Sequence, residues 1–160
     1  MDKTESVWAK IILGKKATRA SLGIVFGVCY RPLGSDLDMD RALFNGNCVI
    51  MGDFNFPDID WRTSASNNNR AQIFLDVLAD GFLHQVVAEP TRRDAILDLV
   101  LVSSEDPIEE MVVGDNLGSS NQELIQFKLN GRINKNRSQS SSSVSLYLQK
   151  EKEYLWHLRD

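Results

Sequence analysis

The chain has 160 residues, 42% of them hydrophobic and 25% charged, which is enough for one buried core with a tail and too little for two comfortable domains. Its formal charge of −4 argues against a wholly electrostatic nucleic-acid binder, and its two widely spaced cysteines, Cys29 and Cys48, against a CxxC redox pair or a zinc framework. The polar start, Met1-Asp2-Lys3-Thr4-Glu5, and the lack of any apolar run of membrane-spanning length point to an intracellular protein with no membrane partner, leaving nucleus and cytoplasm undistinguished.

Val7 to Ile12 and Leu22 to Tyr30 are expected as strands joined by a turn at Gly14-Lys15-Lys16, with Arg31-Pro32 ending the second. Asp36, Asp38 and Asp40 lead into Met39, Leu43 and Phe44, a pattern for a short helix. Cys48 to Met51 is a further strand. Ser64 to Asn69 is a loop with a ready helix cap, and Ile73, Phe74, Val77 and Leu78 repeat at helical spacing until Gly81, the residue type found just past helix ends. Leu83 to Val87, Ile96 to Val102, Met111 to Val113 and Leu124 to Leu129 are short apolar strands, interrupted by Pro90, Pro107 and Gly118. This irregular alternation predicts a layered α/β arrangement with a mixed sheet.

After Leu129 the composition changes. Residues 131–145 carry Arg132, Lys135 and Arg137 and then a nearly all-serine run, a basic linker separating the domain at 1–130 from the end of the chain. With Lys128, these cations form a local positive stretch, suited either to a phosphate backbone or to simple solvation. Residues 146–160 place Tyr147, Leu148, Tyr154, Leu155 and Leu158 on one side, the pattern of a terminal amphipathic helix whose partner the sequence does not identify. His84 and His157 are isolated, which argues against a histidine metal site.

The segment richest in chemistry runs from Val49 to Trp61, where an apolar strand ends in Gly52 and then Asp53 and Asn55. Residues two apart on a strand share a face, so both polar groups are expected to project into one cleft. Gly, Asp, Asn and Pro are equally the residues of a tight turn. A calcium loop is excluded: Pro57 falls at the fifth ligand position, Asp58 replaces the turn glycine and Ser64 stands where a bidentate glutamate belongs.

Taken in order, Gly27-Val28-Cys29-Tyr30-Arg31-Pro32, Met51-Gly52-Asp53-Phe54-Asn55-Phe56-Pro57-Asp58-Ile59-Asp60-Trp61, Glu89-Pro90-Thr91-Arg92, Leu97-Asp98-Leu99-Val100 and Leu117-Gly118-Ser119-Ser120 form an ordered series of motifs. Over roughly residues 7 to 130 the series resembles the endonuclease/exonuclease/phosphatase superfamily as it occurs in non-LTR (LINE-type) retrotransposons. The resemblance implies a DNase-I-like α/β sandwich, present here in part, that hydrolyses phosphodiesters of DNA with magnesium. It further implies that Asp53 orients or deprotonates the attacking water, that Asn55 helps hold the phosphate, and that Asp98 orients a catalytic histidine. Thr91 falls in a segment that lines the substrate groove.

This chain departs from that pattern. The closing Ser-Asp-His triplet is Ser120-Asn121-Gln122, so a metal-binding carboxylate is replaced by a neutral amide and the imidazole by a group that holds no proton near neutral pH. The family's amino-terminal half, with its first Asn and metal-ligating Glu, has no counterpart, and half a sandwich is expected to leave apolar sheet surface bare. The expectation is a degenerate endonuclease domain that binds magnesium poorly and is catalytically silent. Its competitors are a non-catalytic module for nucleic acid or protein, and an enzyme completed by a partner chain. Nothing points to a small-molecule substrate.

Overall fold

The computed structural model describes residues 5–12, 23–33, 48–103, 108–114, 124–129 and 145–148. Strands β1 (Glu5–Ile12) and β2 (Gly23–Tyr30) pair antiparallel, as their spacing predicts, with Trp8 opposite Gly27. The Trp8 ring fills the space that Gly27 leaves: a Cβ there would lie 2.3 Å from Trp8 Cζ3. The turn expected at Gly14-Lys15-Lys16 and the short helix expected before Cys48 lie outside the described residues.

β3 (Cys48–Asp53) runs parallel to β2, and β5 (Asp98–Val102) pairs antiparallel with β3 and with the two-residue β4 (His84–Gln85), giving a mixed sheet of order β1-β2-β3-β5-β4. Strand alternation divides the core. Cys48, Ile50, Leu99 and Leu101 face one side, and Val49, Met51, Val100 and Val102 the other, all almost fully buried. Burying each such aliphatic side chain contributes about 1.5–3 kcal/mol, which is why near-continuous apolar runs occupy the two central strands.

Helix α1 (Asn69–Asp80) covers the first side. Asn68 caps it from an extended backbone (φ −90°, ψ 121°), its Oδ1 accepting from the Arg70 N–H at 3.0 Å, and Gly81 N–H donates to the Val77 carbonyl at 3.0 Å where the helix stops. Ala71, Phe74, Leu75 and Leu78 face the sheet, whereas Ile73 points to solvent, so the sequence's apolar repeat is wider than the buried stripe. Phe74 is the hub. Its ring stacks on Phe54 and Phe56 at centroid distances of 5.4 and 4.6 Å, and Trp61 meets it edge-on at 6.5 Å.

A second sheet covers the other side. β6 (Ile108–Gly114), β7 (Leu124–Leu129) and β8 (Ser145–Leu148) pair antiparallel in that order, and Ile125 and Phe127 pack against Ile24, Phe26, Val49, Met51, Val100 and Val102. The α/β class with a mixed sheet is therefore as expected. The bare sheet surface is not found at β3 and β5, which are covered on both faces.

β8 corrects another expectation. Residues 145–148, placed in the linker and at the start of a terminal amphipathic helix, form a strand in which Leu146 pairs with Phe127 and Leu148 with Ile125. The free edge of β7 offers unpaired backbone groups, and Ser-Leu-Tyr-Leu alternates with the period of a strand as readily as it fits a helix. Residues 149–160 lie outside the described residues. No helix among the described residues is long and apolar enough to cross a membrane.

Candidate functional site

The polar groups assemble at one end of the main sheet. In the pairing register Tyr30 lies beside Asp53, and Asp53 beside Asp98, so three strands that are adjacent in space but distant in sequence contribute one row. By strand alternation all three stand on the face turned toward the second sheet, as Met51 and Val100 do. Gly52 makes this possible. Its φ of +148° is a conformation side chains rarely adopt, and a Cβ there would lie 1.7 Å from the Cys29 carbonyl oxygen.

Asp53 ends the strand and is buried, with its side chain 1% exposed. Asn55 does not share its face in a continuing strand, as the sequence led us to expect. β3 stops at Asp53, and Asn55 adopts a left-handed conformation (φ 52°), which Asn tolerates better than most residues. Its Nδ2 donates to the Arg31 carbonyl at 3.2 Å.

Arg31, marked in the sequence as a strand end and as part of the first motif but given no role in the site, holds this elbow in place. Its backbone N–H donates to the Asp53 carbonyl at 2.9 Å, and its Nη1 donates to the carbonyls of Phe54 (2.9 Å) and Asn55 (3.0 Å). The guanidinium carbon lies 3.8 Å from the Phe56 ring centroid, a cation–π contact in a buried setting. A planar fork donating along its edge while stacking through its face is geometry that lysine lacks.

Thr91 is buried and its Oγ1 accepts from the N–H groups of Leu97 and Asp98, both at 3.0 Å. Its hydroxyl thus holds the loop that leads into β5. The following turn is closed by Thr91 N–H and Arg92 N–H donating to the Ala95 carbonyl, and by Ala95 N–H donating back to Arg92. From that turn Arg92 extends to Asp53, Nη2 to Oδ2 at 3.7 Å, with its own side chain 34% exposed. Burying a carboxylate costs several kcal/mol unless a partner compensates, and Arg92 is such a partner.

The remaining acids of the motif are committed to the turn that follows. Asp58 Oδ2 accepts from Asn68 Nδ2 at 2.9 Å and Asp60 Oδ1 from the Arg62 N–H at 2.9 Å. That backbone N–H is the chief reason the Asp60 carboxyl sits below its ordinary value. Burial pushes the Cys29 thiol up to about 12 against the pull of Arg31, and raises Cys48 against a hydrogen bond from Ser103. Neither thiol is a ready nucleophile.

The donor set does not fit the magnesium that the resemblance implies. Magnesium prefers carboxylate oxygens grouped octahedrally, yet among the described residues no three acidic, histidine or cysteine side chains converge, and Arg92 stands against the buried Asp53 oxygen. Asn121 and Gln122 lie outside the described residues, as do Arg132, Lys135 and Arg137. Lys128 is described, and its ammonium pairs with Glu110, which a bulge in β6 places in a left-handed conformation (φ 51°).

Tyr30, Arg31 and Arg92 are the members of this site that sequence reasoning did not single out. All three stand inside the motif series without a role of their own there; strand register sets Tyr30 beside Asp53, whereas Arg31 and Arg92 join through their hydrogen bonds and ion pair.

The polar row therefore lies at one end of a mixed sheet in an α/β domain, beside an elbow that requires glycine at position 52. The endonuclease-reverse transcriptase family matches residues 31–122, more than half of the chain, and the chain belongs to that family, an endonuclease/exonuclease/phosphatase-type domain of retrotransposons. Comparison with curated proteins and with solved structures gave no match. Membership implies nucleic acid as the class of ligand and a chemistry that is generally metal-dependent.

Proposed function

We propose that this chain is a degenerate endonuclease domain, of DNase-I-like and LINE-type ancestry, in which magnesium-dependent nicking of DNA has been lost. The observation that carries the reading is the pairing of Asp53 with Arg92. A carboxylate that serves a metal-dependent nuclease must be open to a cation, and a guanidinium beside it repels one and occupies its place. Asn121 and Gln122 support the same reading, since neither can supply the charge or the proton transfer of the aspartate and histidine they replace. Loss of a general acid or base alone costs about 10²- to 10⁴-fold in rate.

The test is nicking of supercoiled plasmid by the purified chain with magnesium, beside EDTA, Asp53→Ala and an Asn121→Asp/Gln122→His double variant. The chain is expected to nick no faster than its EDTA control. A robust magnesium-dependent rate that Asp53→Ala abolishes would overturn the reading. The rival reading, an interaction module working through the basic stretch, has less support because Lys128 is already paired with Glu110.

A further inference from the structure

We propose that Arg92 is a phosphate-binding residue that engages one phosphodiester of a nucleic-acid backbone without a metal ion, exchanging Asp53 for the phosphate. The inference rests on the nuclease ancestry proposed above and adds to it a retained, metal-free contact.

Several observations converge on Arg92. Its backbone is fixed by the turn to Ala95, so the base of the side chain is placed before any ligand arrives. Its guanidinium bridges two environments: one edge meets the buried Asp53 carboxylate, while a third of the side chain faces solvent. Five N–H donors in a rigid fork exceed what one carboxylate oxygen at 3.7 Å can use. That separation is also longer than the 2.7–2.9 Å typical of a charge-assisted hydrogen bond, so the contact is one a better-placed anion can displace. A phosphodiester oxygen pair matches the fork bidentately.

The neighbouring cation does not compete. Arg31 is buried and committed to the carbonyls of Phe54 and Asn55, and it stabilises the elbow rather than a ligand. Asp53 then has an unusual part: it holds the guanidinium in position when no ligand is bound, and it opposes the phosphate when one arrives. Removing its charge therefore strengthens binding, whereas removing that of Arg92 weakens it. A merely structural ion pair predicts the same sign for both changes.

The experiment measures anisotropy of a short labelled DNA duplex over a salt series, in EDTA and again in magnesium, with the parent chain, Arg92→Gln and Asp53→Asn, each checked for folding by circular dichroism. Binding in EDTA is expected to be at least as tight as in magnesium, which competes for the phosphates. Arg92→Gln should bind about tenfold more weakly, as expected for a lost charge-assisted contact, with a salt slope shallower by about 0.9, the value of one phosphate contact on duplex DNA. Asp53→Asn should bind several-fold more tightly. Binding that requires magnesium, an Arg92→Gln variant with the parent's affinity and slope, or an Asp53→Asn variant weakened as much as Arg92→Gln would each overturn the proposal. Nicking by the parent chain would refute the loss of catalysis while leaving this readout intact, so the two failures are distinguishable.

Discussion

Gly52 passes so close to Cys29 that a single added carbon on Gly52 would fall 1.7 Å from the Cys29 carbonyl oxygen. The obstacle is backbone in the neighbouring strand, which cannot rotate away as a side chain could. Gly52→Ala should therefore destabilise the fold by about 2–4 kcal/mol, combining the steric conflict with the cost of a positive φ. Denaturant unfolding of the two proteins measures it, and a loss under about 0.5 kcal/mol, the range of ordinary surface changes, would mean that β2 and β3 can separate.

Arg31 is expected to be irreplaceable by lysine. Arg31→Met strands the carbonyls of Phe54 and Asn55, and it should cost about 3 kcal/mol, as hydrogen bonds to a charged group and a cation–π contact are lost together. Arg31→Lys restores charge without the fork, and so should recover less than half of that loss in the same unfolding measurement.

Thr91 separates a hydroxyl effect from a shape effect. Thr91→Val keeps the volume but leaves the N–H groups of Leu97 and Asp98 without their acceptor, for an expected cost of about 2 kcal/mol. Thr91→Ser should retain most of the stability. Equal stability of the valine and serine variants in thermal melts would show that the hydroxyl does not hold the loop.

Cys29 predicts a falling stability in alkali. Its folded value, about 12, lies above the ordinary 9.0, so the folded chain keeps a proton that the unfolded chain has released. The stabilisation is fully present below pH 9.0 and is lost as pH rises toward 12, at up to about 1.4 kcal/mol per pH unit. Melts of the parent and of Cys29→Ala from neutral pH upward should converge in this window. Parallel curves would mean that the thiol does not titrate with unfolding.

The fold was legible where local chemistry decides it. Asn68 caps α1 as expected, and the helix does stop at Gly81, although Gly81 is right-handed (φ −85°) and Phe82 takes the left-handed position (φ 51°); the apolar runs at Cys48–Asp53 and Asp98–Val102 are strands with both faces covered. The site was legible only as a list of motif residues. That Asn55 leaves the strand follows from a left-handed turn that composition allows but does not demand. That Tyr30, Asp53 and Asp98 stand in one row depends on strand order, which no window of sequence contains. β8 was misread for a related reason: Ser145–Leu148 is a strand by virtue of an edge supplied from β7.

The strand order also governs when the site can come into being. β3 hydrogen-bonds to β2 on one side and to β5 on the other, yet α1 and β4 intervene between β3 and β5 along the chain. As the polypeptide leaves the ribosome, β2 and β3 are available to each other long before β5 has been synthesised. During that interval the apolar edge of β3 has no neighbour of its own and is open to pairing with other chains. The arrival of Asp98–Val102 ends the exposure and completes the polar row in one event, so nascent chains cut short of β5 should be both siteless and prone to aggregate.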